Sequence, residues 1–245
     1  VEAAALPYLT FGENYVAGSR PERWEHVFAS VQSLTSYGVE NIPHDHFDVI
    51  VVDEFHHAAA PTYRRIMNHL KPVELLGLTA TPERTDGADV LGLFGGRIAT
   101  ELRLWDALEA ELLCPFHYFG IADGTDLSNF TWKRGGYDDH DLENLYTGND
   151  KRARIVLEAV IDKVVIPHQM RALGFCVSIK HAEYMAKTFN AAGIPAVAVS
   201  GNTGSADRAR SISELKDRSI NVIFSVNVFN EGLDIREIDT VLMLR

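Results

Sequence analysis

Apolar segments of strand length alternate with segments of helical periodicity along most of this chain. The first clear pattern, residues 24–34, alternates apolar and polar positions and ends in hydroxyl and amide groups, which predicts a strand running into a polar loop. Apolar runs over 47–53 and 73–78 predict two further strands. Between them, Pro61 suits the first turn of a helix, and the apolar residues after it recur at helical spacing.

The second half of the chain repeats this alternation after an acidic interruption. A strand is predicted at 116–121, and the Gly- and Asp-rich segment that includes 138–141 is interpreted as the junction between two domains. Asn149 or Asp150 can cap the next helix. The remaining elements are a strand at 173–178, a helix at 180–192 ended by Gly193, a strand at 195–200, a helix at 207–216, and strands at 220–225 and 241–244. Strands and helices alternating at this rhythm predict the α/β class, with mainly parallel sheets.

Length and composition allow two domains. A chain of 245 residues with an apolar fraction of 46% is long enough for two ordinary α/β domains with packed cores. We predict a first domain over 1–112 and a second over 113–245, which carries an acidic insertion at about 123–150. Because the chain starts at Val1 and not at methionine, we expect it to be a fragment of a longer protein.

The sequence predicts a cytoplasmic protein. No apolar stretch approaches the ~20 residues that span a bilayer, so we expect no membrane segment. Cys114 and Cys176 are far apart and lack C-x-x-C spacing. We interpret both as reduced core thiols of a cytosolic protein, with a disulfide as the alternative.

The charge of the chain bounds how it can bind nucleic acid. The formal net charge is −11; residues 1–112 hold 8 Lys and Arg against 17 Asp and Glu, and residues 113–245 hold 15 against 17. This charge argues against a broad basic face for nucleic acid. Any contact with nucleic acid is predicted to be local, through loop amides, hydroxyls and a few cations, and strongly salt-sensitive.

Candidate chemistry lies where two predicted strands end. The strand over 47–53 delivers Asp53, Glu54, His56 and His57, and the strand over 73–78 leads into Thr79-Ala80-Thr81-Pro82. In an open parallel sheet ligands bind at the carboxyl ends of strands, and paired carboxylates there suit Mg²⁺ beside a nucleotide phosphate. The alternatives are an acidic cap of the following helix for the carboxylates, and ordinary strand-end turns for the threonines.

The order D-E-x-H and then T-A-T-P resembles motifs II and III of the superfamily 2 helicases. Three further stretches resemble that superfamily: 28–34 matches the motif before D-E-x-H, 174–182 matches motif IV, and 227–235 matches motif V. These motifs are most similar to those of the bacterial helicases related to type III restriction subunits and to the XPB group, in which the pattern at 78–87 recurs. This resemblance implies two RecA-like domains facing each other across a cleft, and ATP and Mg²⁺ as cofactors.

The resemblance also implies roles for individual residues around the nucleotide. Asp53 would hold Mg²⁺, usually through water, and Glu54, the other candidate metal ligand, would orient the hydrolytic water. His56 would link this site to motif III, where Thr79 and Thr81 would relay the nucleotide state. Gly232 and Asp234 would lie at the cleft, with Asp234 near the ribose; an ordinary G-x-D turn is the alternative.

For nucleic acid, the resemblance points to four candidates for backbone contacts without sequence specificity: Ser33, Ser178, Lys180 and His181. Lys180 and His181 could equally form a solvated first turn of a helix. The predicted partner is DNA rather than RNA.

Two parts of a complete motor are missing from this sequence. No G-x-x-x-x-G-K-[ST] occurs, because none of the lysines follows a glycine, and motif VI is expected shortly after Arg245. The predicted function is an ATP-dependent DNA helicase or translocase in the intact parent, with the chain alone inactive. The alternatives are a catalytically silent structural or nucleic-acid-binding fragment, and the motor subunit of a restriction system with a fused or associated nuclease domain.

Overall fold

The computed structural model describes residues 11–16, 18–81, 91–125, 128, 130, 137–229 and 235–245. The chain divides into two compact units, Val1–Pro115 and Phe116–Arg245. This division lies three residues beyond the predicted boundary at 112.

The first unit is built from short strands and helices in alternation. Its strands are β1 (Glu13–Tyr15), β2 (Val27–Ala29), β3 (Val49–Asp53) and β4 (Glu74–Leu78), and its α-helices are α1 (Val31–Tyr37), α2 (Pro61–His69) and α3 (Leu104–Glu109). Single 3-10 turns occur at Val39–Asn41, Phe55–Ala59 and Leu91–Phe94. The predicted helix starting at Pro61 and the predicted strands ending at Asp53 and Leu78 are confirmed.

Both strand pairs of the first unit are parallel. β1 pairs with β2, and β3 pairs with β4 so that Val49 lies opposite Glu74 and Asp53 lies opposite Leu78. One face of the β3–β4 pair packs on the Phe55 and Phe94 rings. Gly77 makes this packing possible, because a Cβ atom there would lie 2.6 Å from Phe94 and 2.8 Å from Phe55. The carboxyl ends of β3 and β4 therefore lie side by side on a packed base.

Over 24–34 the predicted strand is present, but the polar loop predicted to follow it is a helix. The strand ends at Ala29, and α1 begins at Val31. The reason is Ser30, which caps α1: its Oγ accepts a hydrogen bond from the Ser33 N–H at 3.1 Å. Alternation of apolar residues does not show a cap, so the hydroxyls that suggested a loop instead begin a helix.

The second unit is a parallel sheet with helices on both faces. Its strands are β5 (Ala172–Phe175), β6 (Ala196–Val199), β7 (Val222–Ser225) and β8 (Thr240–Met243), in the order β6-β7-β5-β8. Its helices are α4 (Asp139–Tyr146), α5 (Asp150–Lys163), α6 (Ile179–Ala191) and α7 (Ser205–Asp217), with a 3-10 turn at Pro167–Gln169. All three strand pairings are parallel. The predicted alternation from 149 onwards is confirmed.

Two apolar layers hold this sheet. On one face Phe224 packs against Met185 and Phe189 of α6, and on the other Ile223 packs against Leu215 of α7. Successive residues of a strand point to opposite faces, which is why the continuous apolar run of β7 serves both layers. All four residues of β7 are buried.

Three predictions for the linking region and the thiols are wrong. Residues 116–121, all described, form no regular secondary structure where a strand was predicted. The segment 138–141 includes the first residues of α4, inside the second unit, and the junction between the units lies earlier, after Pro115. Cys176 is a buried free thiol as predicted, but Cys114 is an exposed free thiol and not a core residue. Among the described residues, no helix has both the length and the apolarity needed to cross a membrane.

Candidate functional site

The two candidate carboxylates follow each other at the carboxyl end of β3. Asp53 is the exposed last residue of the strand, and its Oδ1 accepts the Glu54 N–H at 3.0 Å. Glu54 is left-handed, with φ 49° and ψ 47°, and leads into the turn Phe55–Ala59. A left-handed residue other than glycine costs roughly 1–2 kcal/mol, and such residues cluster at functional sites.

The cap alternative for Glu54 finds no support in this geometry. Glu54 stands at the N-cap position of the turn Phe55–Ala59, yet its side chain makes no capping hydrogen bond to the described residues. Its carboxylate instead reaches the ring of His56, with Glu54 Oε2 3.2 Å from His56 Nδ1. The carboxylate is therefore oriented by a histidine and not by the turn.

His56 joins the end of β3 to the end of β4. Its Nδ1 lies 2.9 Å from the Thr79 Oγ1, and the same hydroxyl oxygen accepts the Thr81 N–H at 3.1 Å. Since a carboxylate can only accept, the contact with Glu54 requires a proton on His56 Nδ1. The structure thus brings four predicted residues together: hydrogen bonds join His56, Thr79 and Thr81, and the Glu54 carboxylate lies within ion-pair distance of His56.

The register of the strands explains this meeting. Asp53 lies opposite Leu78, so the residues after each strand emerge at the same edge of the parallel pair. The predicted proximity of the two motifs follows directly from that register. Pro82, the last residue of the second motif, lies outside the described residues.

These residues fit a magnesium ion that is held mainly by water and phosphate. Within the described ranges no group of three or more His, Cys, Asp and Glu side chains could hold a metal. Mg²⁺ in nucleotide sites usually keeps several waters and takes only one or two protein carboxylates. The exposed Asp53 carboxylate beside Glu54 meets that requirement. Gly232 and Asp234, the predicted nucleotide contacts of the second unit, lie outside the described residues.

Two of the nucleic-acid candidates occupy the first turn of α6. Ser178 is the N-cap, and its Oγ accepts the His181 N–H at 3.1 Å. Lys180 is an exposed residue whose Nζ lies 2.8 Å from Glu143 Oε1 of α4. The hydrogen bond and the charge of Glu143 raise the pKa of Lys180. The sequence pattern did not indicate Glu143 as a partner, because it lies 37 residues away on a different helix.

His181 does not belong with these exposed candidates. Its side chain is fully buried, and burial lowers its pKa to about 4. Nδ1 accepts the Val177 N–H at 3.4 Å, so the proton of the neutral ring lies on Nε2, which has no hydrogen-bond partner in the described part of the chain. A phosphate contact requires an exposed donor, and we therefore remove His181 from the candidate interface.

Ser33, the candidate of the first unit, is half-buried in the first turn of α1. Its N–H donates to Ser30 Oγ, and its Oγ accepts from the Ser30 hydroxyl at 2.8 Å. The residue was predicted in a loop, and the structure places it on a helix.

One buried charge was missed in the sequence. Arg152 of α5 donates from Nε to Asp123 Oδ2 at 2.6 Å and from Nη2 to the Leu244 carbonyl at 3.1 Å, and its guanidinium lies 3.8 Å from the centre of the Tyr146 ring. Burial opposes ionisation of Asp123, but hydrogen bonds from Thr125 and Arg152 outweigh it and lower the pKa of Asp123. Arginine is common on the polar face of a helix, so no pattern distinguished this one.

Each of the two units contains a segment that matches a known protein family. Residues 5–84 match the family described as type III restriction enzyme, res subunit, and residues 155–245 match the helicase conserved C-terminal domain. The first match contains Asp53, Glu54, His56, Thr79 and Thr81, and the second contains α6 and β5 to β8.

Individual relatives agree with this match. The chain is 26% identical over 198 residues to a 51.5 kDa protein of a Lactococcus phage, which covers 80% of this chain and 42% of the relative. It is 26% identical over 231 residues to IRC3 of Saccharomyces cerevisiae, named as an ATP-dependent helicase, which covers 89% of this chain and 32% of the relative. The chain thus spans less than half the length of both relatives.

The fold agrees as well. A solved structure of Saccharomyces cerevisiae Dbp5 bound to Gle1 and IP6 superimposes with a TM-score of 0.53 at 14% identity, covering 94% of this chain and 53% of Dbp5. The predicted fold class, α/β with RecA-like domains and parallel sheets, is confirmed. Together with the ordered motifs, these matches show that the chain belongs to the superfamily 2 helicases, in the group related to the res subunits of type III restriction enzymes.

Proposed function

We propose that the protein to which this chain belongs is an ATP-dependent helicase or translocase that moves along nucleic acid. The observation that carries this proposal is the hydrogen bond between His56 and Thr79. It links the carboxylates at the end of β3 to the threonines at the end of β4. A motor requires such a link, because the nucleotide site must transmit its state to the rest of the protein.

Asp53 and Glu54 have different tasks in this proposal. The exposed carboxylate of Asp53 would hold Mg²⁺, and Glu54 would orient the water that attacks the terminal phosphate. When bound with ATP, Mg²⁺ neutralises the charge that develops on the phosphates. His56 fixes the Glu54 carboxylate. Thr79 and Thr81 transmit the change in nucleotide state to the neighbouring elements. By resemblance, Asp234 would lie near the ribose, and Gly232 would allow close approach of the backbone.

Ser33, Ser178 and Lys180 are proposed to contact the nucleic-acid backbone. Hydroxyls, cations and helix N-termini bind phosphates without reading sequence, which suits movement along a strand. The net charge of −11 makes such contacts few and local. We propose DNA rather than RNA as the polymer and the cytoplasm as the location.

The substitution Glu54→Gln in the full-length protein tests the catalytic role. Hydrolysis should fall at least about 100-fold, because a neutral amide cannot orient and polarise the attacking water as the carboxylate does, while ATP binding is retained. Glu74→Gln is the matched control, since Glu74 is an exposed residue at the opposite end of the same strand pair. Undiminished hydrolysis in the Glu54 variant would refute the role.

A second candidate is the motor subunit of a restriction system. The match of residues 5–84 to the res subunit family favours it. It differs from the first candidate in partner more than in chemistry, and a nuclease domain encoded beside these residues in the parent gene would support it. A third possibility concerns the 245 residues alone: they contain no G-x-x-x-x-G-K-[ST], and we expect them to show no nucleic-acid-stimulated ATPase activity.

A further inference from the structure

The acidic helix α4 is packed against α6, the helix that begins with Ser178. Residues 139–146 include three acidic residues and neither lysine nor arginine. Leu142 and Tyr146 of α4 are buried, and the Tyr146 ring lies 5.5 Å from the ring of His181. Besides the charge of Glu143, α4 is thus held in the second unit by two buried side chains, one of which lies against His181 of α6.

This packing places a carboxylate on the lysine that is proposed to bind nucleic acid. Glu143 Oε1 lies 2.8 Å from Lys180 Nζ, while the side chains are 17% and 71% exposed respectively. The unequal exposure matters, because a long exposed lysine can change partner whereas a carboxylate on a docked helix remains in place.

We propose that Glu143 competes with the phosphates of nucleic acid for Lys180, so that docked α4 weakens nucleic-acid binding by the second unit. The inference rests on the proposed nucleic-acid contact of Lys180. It assigns a task to part of the acidic segment at 123–150, whose role the motifs leave unexplained.

The physical basis is an exchange of ion partners. When a phosphate binds Lys180, the Glu143 carboxylate loses this one cationic partner, and a cation from solution replaces Lys180 beside it. The counterion released by the phosphate is then offset by the one taken up, so Lys180 adds little to the salt dependence. With glutamine at position 143 no such uptake occurs, and binding should become both tighter and more salt-sensitive.

The test uses the 245-residue chain and a fluorescein-labelled single-stranded oligothymidylate, with binding followed by anisotropy at several NaCl concentrations. Four variants are compared with the unaltered chain: Glu143→Gln, Lys180→Ala, the double variant and Glu183→Gln. Glu183 is exposed on α6 as well, so its substitution makes the same change in charge on the helix that carries Lys180.

We expect Glu143→Gln to tighten binding about twofold to fivefold at low salt, the range for one exposed ion pair. The slope of log affinity against log salt should steepen by up to about 0.7 for a single strand. Lys180→Ala should weaken binding, and the double variant should match Lys180→Ala. Glu183→Gln should have a smaller effect than Glu143→Gln and leave the slope unchanged.

Two results would overturn the inference in different ways. If Lys180→Ala weakens binding but Glu143→Gln acts no more strongly than Glu183→Gln, the competition is absent while the proposed contact of Lys180 stands. If Lys180→Ala leaves binding unchanged, or the chain does not bind the oligonucleotide, both the contact and the competition are refuted.

Discussion

The His56 ring and the Thr79 hydroxyl, 23 residues apart in sequence, lie 2.9 Å apart at the shared edge of β3 and β4. Neither residue is placed by its neighbours in sequence alone. The left-handed Glu54 turns the chain so that His56 faces β4, and the parallel register brings Thr79 to meet it. This pair is the structural connection between the carboxylates and the second motif.

Removal of the Thr79 hydroxyl should disturb this connection without altering the shape of the side chain. Thr79→Val leaves the Thr81 N–H and the His56 ring without their shared partner, and we expect a loss of about 1 kcal/mol in unfolding free energy. Urea denaturation of the chain measures this, with Thr79→Ser as the control that keeps the hydroxyl. A valine variant as stable as the unaltered chain would show that the hydrogen bonds contribute nothing.

The buried His181 should make stability depend on pH. Its pKa is lowered from 6.5 to about 4, so between these values the unfolded chain binds a proton that the folded chain excludes. The stabilisation is therefore complete above pH 6.5 and is lost as the pH falls toward 4, by roughly 3 kcal/mol at most.

Urea denaturation between pH 4.5 and 7.5 tests this against His181→Asn, whose amide oxygen can still accept the Val177 N–H. The variant should lose part of the dependence on pH. A titration of the His181 ring by NMR gives the pKa itself, and a midpoint near 6.5 would contradict the account.

Arg152 should be the most sensitive charged residue of the second unit. Arg152→Met removes the donor that Asp123 Oδ2 and the Leu244 carbonyl share, while Asp123 keeps the Thr125 N–H on Oδ1, and we expect a loss of about 2–4 kcal/mol. Asp123→Asn should cost less, because Arg152 keeps the Leu244 carbonyl and the Tyr146 ring. A double-mutant cycle on unfolding free energy measures the coupling, and strictly additive losses would show that the pair does not interact.

Arg65 forms an exposed ion pair that can be compared with the more buried pair of Arg152. It forms an ion pair with Glu40 at 2.7 Å, but both side chains are about half exposed. Exposed pairs are screened by water and salt, so Arg65→Gln should be the milder change.

Much of the fold could be predicted from the sequence, because periodicity and helix-end signals agree over long stretches. From Asn149 to Leu244 each predicted helix and strand is present, with ends shifted by a few residues. The failures have local causes. Ser30 turns an apparent loop into a helix cap, and the apolar residues at 116–121 remain largely exposed without forming a strand.

The candidate site could be predicted as a set of residues but not as a geometry. Motif spacing pointed to Glu54, His56 and Thr79, whereas the left-handed turn that joins them has no sequence signature other than its position. The partners of Lys180 and Arg152 depend on contacts between distant elements, which periodicity does not report. His181 shows the reverse case, since a polar residue in a motif is buried by the packing of α4 on α6.

The measurement that tests the central claim most directly is the steady-state rate of ATP hydrolysis by the full-length parent protein as single-stranded DNA is added. We predict a rate that rises to saturation with DNA, and that is lost in Glu54→Gln while ATP binding remains. A rate that does not respond to nucleic acid, or an equal stimulated rate in the Glu54 variant, would contradict the assignment of these carboxylates to a nucleic-acid motor.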